Sequence, residues 1–458
     1  MDNNTLWSLR LGFSSREAAK IKKDGIGRFV RSSFAPSPVA TPAFIEALPK
    51  TVLEIRTANR MAEDREAKRA AKMERNDTIL ELKAWWIDRM RSQEFPLREK
   101  MTLFWHNHYV ASFNKVSVNY WLYTHNKLLR ENAFGNFREL TKKMLQTNIM
   151  VRYLDNNTNV KGNFNENLSR ELLELFTLGI GNYTEQDIKN GAKGLAGLTV
   201  GDENAVYKPS KENEEPFTYF GKKGNFKADE MVDIIFQQKS APYFITRKIL
   251  KWFIYDNPPE KLVTYYGDYL REKDFEMEPF LLRMFTEEFA KSTQGSKIKD
   301  PMLFILQLLH EFKAKPINSR MVAHFTRLQG MDLFNHPNVK GWNGGNYWLS
   351  TQIYQQRHNL ADLLCTKVTN ARRVKIFAQE GNEALEKMAV KPDWDRSGNN
   401  KAIIAGLSGR LLFNVDADLQ ADFENMLRHD FNPRAEGAEN GVMRLLNFML
   451  KTPEFQLI

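Results

Sequence analysis

Two imidazoles stand two residues apart between aromatic neighbours in Phe104-Trp105-His106-Asn107-His108-Tyr109. Near neutral pH, imidazole can serve as ligand, general base or general acid, which makes this pair the first place to look for chemistry. On a helix, residues i and i+2 point roughly 200° apart, so both rings reach one metal ion only where the helix ends or bends. The spacing therefore predicts that one ring faces a site and the other supports the fold. A pair of hydrogen-bonded core histidines is the competing reading.

A second group of polar residues lies in Asn165-Glu166-Asn167-Leu168-Ser169-Arg170-Glu171-Leu172-Leu173-Glu174-Leu175-Phe176. Glu171 and Glu174, at i and i+3, share one helix face, and Leu172, Leu173 and Phe176 flank the packing side. Two carboxylates so placed repel unless a proton, a cation or water intervenes, and either Arg170 or a metal supplies the charge. Bridging them to His106 or His108 would make a mixed oxygen and nitrogen site suited to zinc, manganese or iron. The candidate ligand set is thus His106, His108, Glu171 and Glu174, with a divalent metal as the cofactor class. In the same frame one histidine is ligand or general base, the glutamates are ligands or acid/base groups, and Arg170 is an electrostatic clamp. Asn107 and Asn165, in the same two segments, are candidate substrate contacts.

The intervening run Asp155-Asn156-Asn157-Thr158-Asn159-Val160-Lys161-Gly162-Asn163-Phe164-Asn165-Glu166 offers an alternative cation site. Counted from Asp155, it places Asn157, Asn159, Asn163 and Glu166 in the register of a calcium loop. Val160 stands where that loop needs glycine, so an asparagine-built capping loop competes with it. Farther on, Gly341-Trp342-Asn343-Gly344-Gly345-Asn346-Tyr347-Trp348 allows a tight turn with flat aromatic surface. Such surfaces bind sugars or bases, and they also staple loops onto cores. The other histidines, His125, His310, His324, His336, His358 and His429, show no paired spacing and read as structural or exposed.

Helical periodicity dominates the elements that must position these groups. From Ile55 to Arg91 both charge signs alternate at helical spacing before Leu80, Leu82, Trp85 and Trp86, which predicts an exposed helix running into a buried one. Further helical segments run from Glu99 to Phe113, through Asn167 to Leu178, and on to Leu349 to Val368, about a dozen in all. Val200 to Asn225 is richer in Gly and Pro, and its β-prone pieces AVYK and FTYF make it a long loop or a small hairpin. The expectation is a mainly α fold: a large multi-helix single domain with long loops and at most a small β-hairpin. Residues 1–98, with the charged helix, continue into a helical core over 99–458.

With 458 residues, 42% apolar and 12% aromatic, the chain can bury a sizeable core and is no disordered tail. Its one cysteine, Cys365, excludes an intrachain disulfide and any multi-cysteine metal site. A net charge of +10 permits an acidic partner. The long charged run mixes signs as a solvated face does, so no specific nucleic-acid partner is expected. No apolar run reaches the ~18 residues of a membrane span, and the N-terminus carries charges where a signal peptide is apolar. As written the chain reads as cytoplasmic, and a periplasmic location stays open where a leader has been removed.

Read in order, FWHNHY at Phe104, YLDNNTNVKGNFNENLSRELLELFTLGIGNYTEQD from Tyr153, FGKKGNF from Phe220, FITRKILKWFI from Phe244, IKDPMLFIL from Ile298, PNVKGWNGG from Pro337 and the terminal LLNFMLKTPEFQ resemble the DUF1800 family, bacterial proteins of unknown function. The resemblance covers most of the chain. It implies a helical fold and a shared pocket in which His106, His108, Arg170, Glu171 and Glu174 match the characteristic polar positions, with Trp342 and Asn343 in a second loop. It supplies no substrate. Where the family usually carries Ala-Arg-x-x-Thr-Gly-Trp, this chain has Ala192-Lys193-Gly194-Leu195-Ala196-Gly197-Leu198, and Glu212 stands where a histidine is common. Two functional expectations follow. One is a polar site that binds a metal or polar ligand and acts as a hydrolase. The other is a non-catalytic structural or partner-binding component of an envelope or secretion-linked assembly, its partner a protein of the same gene neighbourhood.

Overall fold

Apolar residues at helical spacing dictate the architecture. The Ala438–Lys451 helix buries Val442, Leu445, Leu446, Met449 and Leu450, a stripe of period 3.6. That stripe packs against Ile353, Leu360, Ala361 and Leu364 of the Thr351–Thr366 helix. Repeated along the chain, the same logic yields a mainly α single domain. The computed structural model describes residues 1–61, 64–366 and 388–458. Caps sit where the sequence puts them: Thr184 and Asp187 form a capping box, and Asp300 caps the Pro301–Glu311 helix through Leu303 N–H at 2.8 Å.

Two expectations change in detail. The charged run is two helices, Val52–Met61 and Arg65–Ser92, the second capped by Asp64 on Ala67 N–H, while residues 62–63 lie outside the described part. The long Arg65–Ser92 helix is exposed in its first half and buries Ile79, Leu82, Lys83, Ala84, Trp86, Ile87 and Met90 in its second. The Val200 to Asn225 region holds two separate antiparallel pairs: Leu198–Thr199 with Val206–Tyr207, and Phe217–Tyr219 with Lys222–Gly224. Each β-prone piece found a local partner rather than the other. The predicted end of the last segment, Val368, also lies outside the described residues.

The N-terminal residues join the common core rather than standing apart from it. Trp7 packs on Phe285 with ring centroids 5.9 Å apart, and the buried Arg10 guanidinium donates to Thr293 O at 2.6 Å. The Leu97–His108 helix, which carries both imidazoles, is held by buried charges in its first turn. Arg98 donates to Phe34 O (2.8 Å), Ala35 O (3.0 Å) and Arg130 O (3.0 Å). Glu99 accepts from Arg130 Nε (2.8 Å) and Nη2 (2.9 Å), Arg89 Nε (3.2 Å) and Trp86 Nε1 (2.9 Å). Lys100 Nζ meets Asp300 at 2.9 Å.

Burial alone would raise the Glu99 carboxyl, yet Arg130 and Arg89 hold it below the ordinary carboxylate range. Removing the carboxylate strands the almost fully buried Arg130 charge. Glu99→Ala is therefore expected to cost about 3–5 kcal/mol of unfolding free energy in urea titration. Replacing Glu99 and Arg130 together by methionine is expected to cost less than Glu99→Met alone. An equal or larger loss in the double variant would show that the pair is not compensating a burial penalty.

Candidate functional site

The imidazole-bearing helix ends at His108, where Tyr109 leaves helical geometry (φ −99°, ψ 75°). Two residues apart, the rings diverge. His106 is fully buried, and its Nε2 accepts the Phe334 N–H at 3.1 Å. A lone pair at Nε2 leaves the proton on Nδ1. The ring stands edge-on to Trp86, centroids 5.1 Å apart, and 4.9 Å from Phe334. His108, 2% exposed, lies within 3.0 Å of the Phe176 carbonyl through Nε2, which must donate because a carbonyl only accepts. The two histidines thus hold opposite tautomers. Burial presses both well below the ordinary imidazole range, helped at His106 by His336 and His125 and at His108 by Lys248.

Two histidines with no sequence spacing to suggest it gather around His106. The His336 ring lies 4.7 Å from His106 and stacks on Trp342 at 4.3 Å, and His125 lies 6.1 Å from His106. Burial takes His125 down to about 4 and His336 down to about 3. His125 donates from Nε2 to Tyr109 O at 2.9 Å. His336 meets no well-formed hydrogen bond at either nitrogen, and the Ala111 main chain only partly offsets its burial. The sequence did flag this loop, through Trp342, but gave no sign that His336 belonged with His106.

The loop carrying His336 and Trp342 is pinned along its length. Asp332 pairs with Lys83, Phe113 N–H donates to Phe334 O at 2.9 Å, and Ser112 Oγ donates to Asn335 at 2.9 Å. Asn107 Oδ1 accepts Trp342 N–H at 2.7 Å. Gly341 has φ +90°, and a Cβ there would lie 2.4 Å from Asn107 Oδ1, so this close approach admits only glycine. Trp342 is consequently a buried staple, Asn107 is committed to holding it, and Asn343 is exposed.

The acidic segment is an α-turn, Asn167–Glu171, that widens into a π-helix over Leu172–Thr177. The sequence predicted one uninterrupted helix. Such π turns recur at functional sites. Here the turn contacts the imidazole helix through the bond between His108 and Phe176 O. The carboxylates face elsewhere: Glu174 accepts from Tyr183 Oη at 3.1 Å, while Glu171 is half-buried without a hydrogen bond or ion pair among the described residues. Burial raises the Glu171 carboxyl, Glu174 adds to it, and Lys340 and Arg170 partly offset it. Arg170 turns to Glu166 (3.2 Å) and Glu185 (3.0 Å), so it does not clamp the two glutamates together.

These positions give the metal expectation no support. His106, His108, Glu171 and Glu174 do not converge, the free lone pair of His106 is taken by Phe334 N–H, and among the described residues no three His, Cys, Asp or Glu side chains form a metal-binding group. The calcium register gains no support either. Asp155 pairs with Lys115 at 2.7 Å and Glu166 with Arg170. The amides build a capping loop: Asn156 donates to Leu195 O and Leu198 O, Asn159 to Ala192 O at 2.8 Å, and Asn165 Oδ1 accepts Asn167 N–H at 3.0 Å. Sequence reasoning missed Lys248, half-buried in FITRKILKWFI, which donates to Leu175 O at 3.3 Å and whose ammonium burial takes down to about 7.

The buried imidazoles make stability depend on pH. The folded-state values of His125 and His336 lie below the unfolded value of about 6.5, so on acidification the unfolded chain binds protons first. Stability is complete above about 6.5 and falls as pH drops towards 4, by about 1.4 kcal/mol per unit for each such histidine. Replacing His336 with Phe keeps a flat ring on Trp342 and should flatten the loss between pH 6 and 4 by about that slope in urea titrations. A slope unchanged in His336→Phe would refute the buried neutral ring.

No curated protein matches the chain, and no solved structure does. A family model described as protein of unknown function, DUF1800, matches residues 5–457. With nearly its whole length covered, from the first helix through the terminal Phe455 motif, this chain belongs to the DUF1800 family.

Proposed function

We propose that this DUF1800 protein is a binding protein whose functional surface is the Glu171–Glu174 face, taking a cationic group of a polar ligand or partner protein. One observation carries the reading: Glu171 is a half-buried carboxylate beside a second carboxylate, and among the described residues no cation pairs with it, Lys340 and Arg170 acting on it only at a distance. A bound guanidinium or ammonium would relieve both burial and repulsion. Ile180, 75% exposed three residues past the end of the π-helix, adds exposed apolar surface to this stretch of chain, as protein-binding surfaces do. Hydrolysis is no part of this reading, because the imidazoles that would serve as base are sealed from solvent and spend their Nε2 atoms on the main chain. Among the described residues no helix is long and apolar enough to cross a membrane, which is consistent with an occupant reached from water.

The test is calorimetric titration of the full chain with an acetylated Arg-Arg amide. Binding should weaken with added salt and as pH falls through the raised Glu171 value, since protonation removes the charge that the guanidinium meets. Glu171→Gln should reduce affinity about tenfold, roughly 1.4 kcal/mol, and the Glu171→Gln/Glu174→Gln pair should reduce it further. Affinity equal in wild type and both variants, or no binding at millimolar peptide, would end the proposal. Zinc or manganese bound with stoichiometry abolished by His106→Ala would restore the metal reading instead.

A further inference from the structure

A cavity of about 670 Å3 opens where the Ser15–Glu17 turn, the end of the long Arg65–Ser92 helix and the C-terminal end of the Pro301–Glu311 helix meet. It shares no residue with the imidazole cluster or the twin-glutamate face. Its volume falls within the ~300–1,000 Å3 of small-molecule sites. Phe13, Met90, Leu306, Leu309 and Ile317 make an apolar wall. The polar lining is cationic in excess: Arg16, Arg91, Lys313, Lys315 and Arg410 against Glu17, Glu311 and Asp393.

The carboxylates are already matched. Glu17 pairs with Arg16 at 2.5 Å and Asp393 with Lys313 at 2.8 Å. Glu311 pairs with Arg410 Nε at 2.7 Å and also accepts from Ser15 Oγ at 2.7 Å. Arg91 turns to Asp88, at 2.9 Å. Lys315 differs. Its main chain is fixed by a two-bond bridge to Ala389 (3.0 and 2.8 Å), while its exposed ammonium meets no carboxylate among the described residues. His310, exposed on the same lining, likewise offers a ring without a hydrogen-bond partner there. A cation held at a fixed base over an apolar wall, with the lining carboxylates Glu17, Glu311 and Asp393 each in an ion pair, leaves the Lys315 ammonium free to take an anion from outside.

We propose that this cavity is a binding site for a small amphiphilic anion, its carboxylate or phosphate headgroup at Lys315, His310 and the Arg410 edge and its aliphatic body along the Leu306–Leu309 wall. Such a ligand supplies the missing negative charge and covers the apolar surface in one step. The site is independent of the twin-glutamate face, which calls for a ligand of opposite sign.

Calorimetric titration of the full chain with octanoate, octyl phosphate, octanol and octylamine tests it. At least one of the two anions should bind about tenfold or more tighter than octanol and octylamine, and their ranking identifies the headgroup. Lys315→Gln should weaken that binding about fivefold and Lys315→Glu further. Because Lys315 is exposed, both variants should keep the wild-type melting temperature, so lost binding is not lost folding. No heat from either anion at millimolar concentration, octanol binding as tightly as octanoate, or anion affinity unchanged in both variants would each overturn the proposal.

Discussion

Three consecutive charges buried in one helical turn set the frame of this protein. Successive residues on a helix point about 100° apart, so Arg98, Glu99 and Lys100 reach three different neighbours. Arg98 takes the main chain at Phe34 and Ala35, Glu99 joins Arg130, Arg89 and Trp86, and Lys100 closes on the Asp300 cap. A buried charge tolerates little displacement from its partner, because desolvation is compensated only at hydrogen-bond distance. The helix is therefore fixed both in rotation and along its axis, and His106 and His108, two turns on, inherit that placement.

From that placement the two rings acquire separate duties. His106 accepts a hydrogen bond from the 332–342 loop, and His108 donates one to the π turn, so one helix end holds two neighbouring segments by opposite tautomers. Neither ring is left for solvent. What remains partly open to water is the carboxylate pair on the outer side of the π turn, where Glu171 feels Lys340 and Arg170 at a distance but forms no ion pair among the described residues. The polar residues of this family member thus divide into an inner set that ties elements together and an outer set in which Glu171 alone forms no hydrogen bond or ion pair among the described residues.

Much of this was legible from residue types and spacing. Helical period located the main elements, and the 200° divergence expected of His106 and His108 is what separates them into two environments. The asparagine run reads correctly as capping chemistry once Val160 is noticed at the glycine position. The π turn was not legible, because inserting one residue into a helix leaves the pattern of Leu172, Leu173 and Phe176 looking like an ordinary amphipathic stretch. Convergence at a distance was equally hidden. His336 joins His106 only through the loop path that the Asp332–Lys83 pair fixes, and the Lys315 cavity draws on segments spread from Phe13 to Arg410.

The contact between Gly341 and Asn107 ties two distant positions into a single evolutionary choice. The carboxamide that holds Trp342 occupies the volume any side chain at 341 would need, and the left-handed backbone there disfavours other residues as well. A descendant that keeps asparagine at 107 is thereby confined to glycine at 341. One that gains bulk at 341 must shed the amide and find another way to hold its tryptophan down.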